Sequence, residues 1–159
     1  MRLEETRAPL ERLFLDPNNP RFADQGLRNP ISANAMHEVG VQERAESRIN
    51  DERYDVEALK QSIARNGYLP VDRMVVTRLP DDNGFMVVEG NRRLAALRLL
   101  VREDQAHEAD ITEEVRASLR EVPVLVLEDD DPEAIEYKAR LLQGVRHLSS
   151  FKQWGPYQQ

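Results

Sequence analysis

The sequence contains no cysteine, which removes disulfides, thiol nucleophiles and cysteine-ligated zinc together and accords with an intracellular setting. Histidine is scarce too: His37, His107 and His147 lie far apart without metal-ligand spacing, so no metal site is expected from them. No apolar run approaches the length of a bilayer crossing, and Met1 opens no signal-peptide pattern. The expectation is a cytoplasmic chain without a membrane partner. What the sequence does hold is charge, at 32% of its 159 residues, beside 40% apolar residues, which is enough for a single domain with its own core.

The net charge of −7 argues against a surface uniformly suited to nucleic acid, but the acidity is regional. Residues 1 to 102 carry 16 basic and 16 acidic side chains, residues 103 to 136 carry 2 and 13, and residues 137 to 159 carry 4 and none. A phosphate-binding surface is therefore expected outside the acidic block, which reads as a solvated helix and loop.

Along the chain, "PLERLFL" over residues 9 to 15 predicts an entry strand, and "DPNNPR" a turn set by two prolines and followed through by Arg21. Residues 33 to 50 have a weak helical pattern with Met36, Val39, Ala45 and Ile49 as a thin apolar stripe. A firmer helix starts from Asp55 as N-cap, carries Val56, Leu59 and Ile63, and stops at "NGYLP", where Gly67 suits a left-handed cap. "VDRMVVTR" and "FMVVE" form a predicted hairpin through a loop holding Asn83-Gly84. Beyond Gly90 comes a helix with Leu94, Leu97, Leu100 and Val101 inward and Arg98 and Arg102 toward solvent. A helix over Thr112 to Arg120, the strand "VPVLVLE" and a helix from Pro132 through Ile135, Ala139 and Leu142 complete the series.

The chemistry concentrates in "MVVEGNRRLAALRLL", residues 86 to 100. A glycine where a strand turns into a helix lets a ligand approach the backbone, and the N–H groups of the first turn supply an anion site. Arg92 and Arg93 add guanidinium groups, which match phosphate oxygens bidentately. Positive charge at a helix N-terminus costs about 0.3–1 kcal/mol, so something must offset it. Either Glu89 or another acid pairs with the arginines as a scaffold, or a phosphate does.

The ordered set "DPNNPR", "LKQSIARNGYLPVDRMVV", "MVVEGNRRLAALRLL" and "VPVLVLEDDDPEAIEYKARLLQGVRHLSS" resembles the N-terminal domain of the ParB/sulfiredoxin superfamily. The resemblance covers residues 9 to 22 and 55 to 150 and implies an α/β (α+β) fold, a small mixed β-sheet with flanking helices. It implies a ParB-like domain over residues 1 to 148, with an insertion at 23 to 54. Residues 149 to 159 would begin a following helical, DNA-binding region of a longer protein. It also puts Gly90, Asn91, Arg92 and Arg93 on the family's phosphate-binding segment, with Arg21 as a second clamp. Asn91 stands where the family has glutamate and Ala95 where it has a third arginine. The later family segment for metal-bound triphosphate corresponds to "QGVRH", which places Arg146 and His147 near nucleotide or DNA. Gln143 and Gly144 there supply no carboxylate for magnesium, so ParB-type CTP hydrolysis is not expected. Sulfiredoxin chemistry needs a cysteine in the phosphate loop and is excluded.

The leading expectation is a nucleotide- or DNA-phosphate-binding module of a DNA-associated bacterial or phage protein of the partition, plasmid-maintenance or defence type. The resemblance implies CTP or ATP with magnesium as ligand, DNA as partner through the longer protein, and a homodimer. One alternative is an NTPase or metal-dependent nuclease with Glu89 as the catalytic carboxylate and Glu57 or Asp72 as helpers. Another is a protein-interaction module in which the acidic 103 to 136 region docks a basic partner.

Overall fold

The computed structural model describes residues 2–19, 31–51, 56–69 and 73–154, without the side chains of 51 and 145–154. Five strands, β1 (Arg2–Pro9), β2 (Leu13–Phe14), β3 (Met74–Arg78), β4 (Phe85–Glu89) and β5 (Glu121–Glu128), form one sheet in the order β1-β5-β3-β4-β2. The sheet is mixed: β1 with β5 and β3 with β4 are antiparallel, whereas β3 with β5 and β2 with β4 are parallel. Five helices flank it, α1 (Val39–Asp51), α2 (Val56–Asn66), α3 (Asn91–Gln105), α4 (Glu113–Ser118) and α5 (Pro132–Trp154). The expected α/β class with a small mixed sheet is therefore present.

Strand alternation divides the core into two layers. Met74, Val76, Val87, Val122, Val124 and Val126 point to the face covered by α2 and α3, whose Ile63, Leu94 and Leu97 pack there. Met86, Val88 and Leu127 point to the other face, against Ala139, Ile135 and Leu142 of α5 and against Met36. β4 is thus covered on both sides, which explains why "MVV" is continuously apolar rather than alternating.

Three elements differ from expectation. The entry strand over residues 9 to 15 resolves into the end of β1, a 3-10 turn at Leu10–Arg12 and the short β2. β1 escapes pattern reading because Arg2 to Arg7 are all exposed and carry no alternation. Of the expected stripe Met36, Ala45 and Ile49 are buried, but Val39 is 72% exposed and Val41 takes its place on the buried face of α1. Arg98 does not extend freely into solvent: it is half-buried, donating to Leu13 O at 2.7 Å and Gln42 Oε1 at 3.1 Å.

Other local expectations hold. Thr112 caps α4 by accepting from Val115 N–H at 3.1 Å, and Gly67 ends α2 at φ 76°. Asp55, Pro70 and Asp72 lie outside the described residues. α5 extends from Pro132 to Trp154. Among the described residues no helix is long and apolar enough to cross a membrane.

Candidate functional site at the start of α3

β4 ends at Glu89, and Gly90 reverses the chain into α3 with φ 108° and ψ 21°. This left-handed conformation favours glycine, and packing requires it as well: a Cβ at position 90 would lie 2.6 Å from Met74 Cγ. Gly90 is thus needed by the fold whether or not a ligand approaches it. Among the described residues no side chain caps α3, whose first intrahelical bond runs from Leu94 N–H to Gly90 O at 3.1 Å. Arg92 and Arg93 sit half-buried on that first turn, and each has an interaction partner, as does the half-buried Glu89.

Asn91 turns inward. Its Oδ1 accepts from Asp16 N–H at 3.0 Å and its Nδ2 donates to Val87 O at 3.0 Å, and it is 7% exposed. The side chain therefore fastens the "DPNN" turn onto the β4–α3 junction. Asp16, fully buried, continues the connection. Its Oδ1 accepts from Asn18 N–H at 2.9 Å, an Asx-type turn, while its Oδ2 accepts from Arg140 Nη1 at 2.5 Å and Gln143 Nε2 at 2.6 Å. Gln143 also donates to Val88 O at 3.1 Å and accepts from Arg140 Nη1 at 2.8 Å. Four segments thus meet in one buried polar cluster beside Gly90: the turn at 16–18, the end of β4, the start of α3 and the middle of α5.

Arg140 is the cluster's cation. Burial opposes its charge, but Asp16 and then Glu136 outweigh that penalty and hold its proton more tightly than in water. Asn18 extends the cluster outward by a two-bond bridge, Nδ2 to Ile31 O and Oδ1 from Ile31 N–H, both 2.8 Å. Asp16, Asn18 and Arg140 were not singled out in the sequence. The signals available were the Asp-Pro-Asn turn, whose first side chain can accept from the backbone two residues on, and the one-face spacing of Arg140 and Gln143 on α5.

Of the expected site residues, Glu89, Gly90, Asn91, Arg92 and Arg93 are contiguous at this junction. Arg21 lies outside the described residues, as do the side chains of Arg146 and His147, whose backbone belongs to α5. Glu57 is on α2, where Lys60 at 2.7 Å and then Gln61 hold its carboxyl below the usual range. The "QGVRH" position does not fit a magnesium ligand set. Both ends of the Gln143 amide are occupied inside the cluster, and the Asp16 carboxylate already accepts from three donors.

Fold and site together define a mixed α/β domain with a glycine-arginine helix start braced by a buried polar cluster. No family model matches the chain, and no curated protein does. Among solved structures it is similar to the C-terminally truncated chromosome-partitioning protein ParB from Caulobacter crescentus complexed with CTP-gamma-S. The identity is 21% and the TM-score 0.49, over 92% of this chain and 53% of that one. The chain spans about half the length of that ParB chain.

Proposed function

We propose that the first turn of α3 binds phosphate groups of a nucleotide or of DNA, as the binding module of a ParB-like, DNA-associated protein. The observation that carries this reading is the helix start itself. α3 opens from Gly90 with no side-chain cap among the described residues, and Arg92 and Arg93 stand on its first turn. Orphan N–H groups and the helix dipole favour an anion there. An anion also offsets the cost of two cations at the positive end of a helix. Because the Asn91 side chain is committed inward, its contribution to a phosphate is its backbone N–H.

The buried cluster supports the same reading by fixing the loop before ligand arrives. A site held by packed hydrogen bonds loses less entropy on binding than one that must order itself. The role of the chain's residues is to bind and orient; with Gln143 and Asp16 consumed by structure, no step of hydrolysis is assigned. Glu89 adjoins the turn as the carboxylate to examine should turnover be observed.

Calorimetric titration of CTP, ATP and GTP, each with and without duplex DNA, tests the proposal. Wild type should bind at least one nucleotide or the duplex, and Arg92→Ala and Arg93→Ala should each weaken that binding about tenfold or more, as expected for a lost charge-assisted hydrogen bond. Equal binding by wild type and both variants, or no binding by wild type, would overturn it.

A further inference from the structure

A concavity lies at the end of α3 opposite the Gly90 turn. It encloses about 430 Å³ between the Leu10–Arg12 turn, the C-terminal half of α3 and α4, within the size range of small-ligand pockets. Its apolar wall is Leu10, Val101 and Leu119, of which Leu10 and Leu119 are buried core residues. Its polar wall carries four arginines, Arg98, Arg102, Arg116 and Arg120, against two carboxylates, Glu11 and Asp104. A net positive cleft in a chain of net charge −7 runs against the average composition.

The four arginines are not equally compensated. Arg116 is fully engaged, bidentate to Asp104 at 2.8 Å twice and to Glu113 at 2.7 Å, which uses up one of the cleft's two carboxylates. Arg102 is paired with Glu46 of α1, outside the cleft lining. Arg98 donates only to neutral acceptors among the described residues, Gln42 Oε1 and Leu13 O, with its guanidinium 5.9 Å from the centre of the Phe14 ring. Burial disfavours its charge and Arg102 repels it, a loss that the attraction of Glu46 only partly offsets. Arg120 reaches Glu113 at 3.3 Å in a pair whose two side chains are 68% and 69% exposed, a contact of the kind worth little and easily exchanged.

We infer that this cleft is a binding site for a small amphipathic anion, an aromatic or aliphatic body bearing a carboxylate or phosphate. The anionic group is taken by Arg98 and Arg120, and the apolar body lies on Leu10, Val101 and Leu119. Guanidinium forks suit either oxyanion, and the apolar wall gives the rest of the ligand a reason to leave water. The site is separate from the turn at Gly90 and does not depend on the function proposed there.

The test uses 1-naphthyl phosphate as probe, with 1-naphthol as its neutral counterpart, followed by amide and arginine side-chain NMR shifts. In wild type, 1-naphthyl phosphate should shift signals of Arg98, Val101, Leu119 and Arg120 and bind at least tenfold more tightly than 1-naphthol. Arg120→Glu, an exposed change that leaves the core untouched, should weaken it at least tenfold. In the Arg92→Ala/Arg93→Ala variant the shifts at Arg98, Val101, Leu119 and Arg120 and the affinity they report should match wild type, so that loss of phosphate binding at α3's first turn and loss of this site are read separately. Shifts confined to Gly90–Arg93, unchanged affinity in Arg120→Glu, or no preference over 1-naphthol would overturn the inference. Tighter binding of a hexaglutamate peptide at the same residues would replace it with an acidic protein partner.

Discussion

At its N-terminal end α3 is tied down by buried hydrogen bonds, Asn91 to Asp16 N–H and Val87 O, backed by Asp16 with Arg140 and Gln143. Its C-terminal half is held by ion pairs at the rim, Arg102 to Glu46, Glu103 to Lys60 at 2.7 Å and Asp104 to Arg116. The first arrangement shares one carboxylate among three donors, so every member depends on the others. The second consists of mostly separate pairs with at least one partner partly in water, where loss of one leaves the rest in place. One end of the helix is thus fixed in position and the other is electrostatically adjustable. A phosphate-binding turn benefits from the first property and an exchangeable anion site from the second.

The contrast is broken most severely at Asp16. Asp16→Ala leaves the Arg140 guanidinium and the Gln143 amide without their buried acceptor, and breaking a buried pair in this way costs about 3–5 kcal/mol. Urea unfolding should show that loss, and Asp16→Ala/Arg140→Ala should cost less than the sum of the two single changes because the stranded charge is gone. Additive losses, or a single-variant loss near the ~0.5 kcal/mol of an ordinary surface change, would remove the cluster from its bracing role.

A smaller effect is expected at Gly90. Alanine there must occupy φ 108° and meet Met74 Cγ, and Met74 is fully buried and has little room to yield. Strain of this kind costs about 1–3 kcal/mol. Comparing Gly90→Ala with Gly90→Ala/Met74→Ala by the same unfolding measurement sharpens the comparison. If the methyl clash dominates, the double variant loses less than the sum of the Gly90→Ala and Met74→Ala losses; if the backbone dominates, the two losses add.

The fold was largely legible where local pattern and burial coincide. Leu94, Leu97 and Leu100 recur at helical spacing and all three are buried; "VPVLVLE" and the Asn83-Gly84 hairpin are likewise where expected. β1 was not legible, because its place comes from pairing with β5 rather than from any apolar face of its own. The site was half legible for a comparable reason. Gly90 to Arg93 form a local motif, but Asp16 and Gln143 are 127 residues apart in sequence, and only the tertiary fold shows that they bond. Gln143 is a brace between α5, the end of β4 and the turn at Asp16.

The smallest effect concerns the adjustable end and appears as a change in the shape of a pH profile. Arg116 holds the Asp104 carboxyl below its ordinary range, chiefly through their hydrogen bond. A carboxylate whose folded pKa lies below its unfolded one contributes stability that is fully present above about pH 4–5 and is lost as pH falls through the folded value. Asp129, lowered mainly by its hydrogen bond with Lys138, behaves in the same way. Asp104→Asn should therefore lower stability at neutral pH, flatten the acid limb, and converge on wild type at the acid end. Asp129 and Glu57, both lowered and both intact in the variant, supply slope that remains. Parallel wild-type and variant profiles from pH 7 down to pH 2 would mean that the Asp104–Arg116 pair contributes nothing pH-dependent. The rim of α3 would then be held by its other pairs alone.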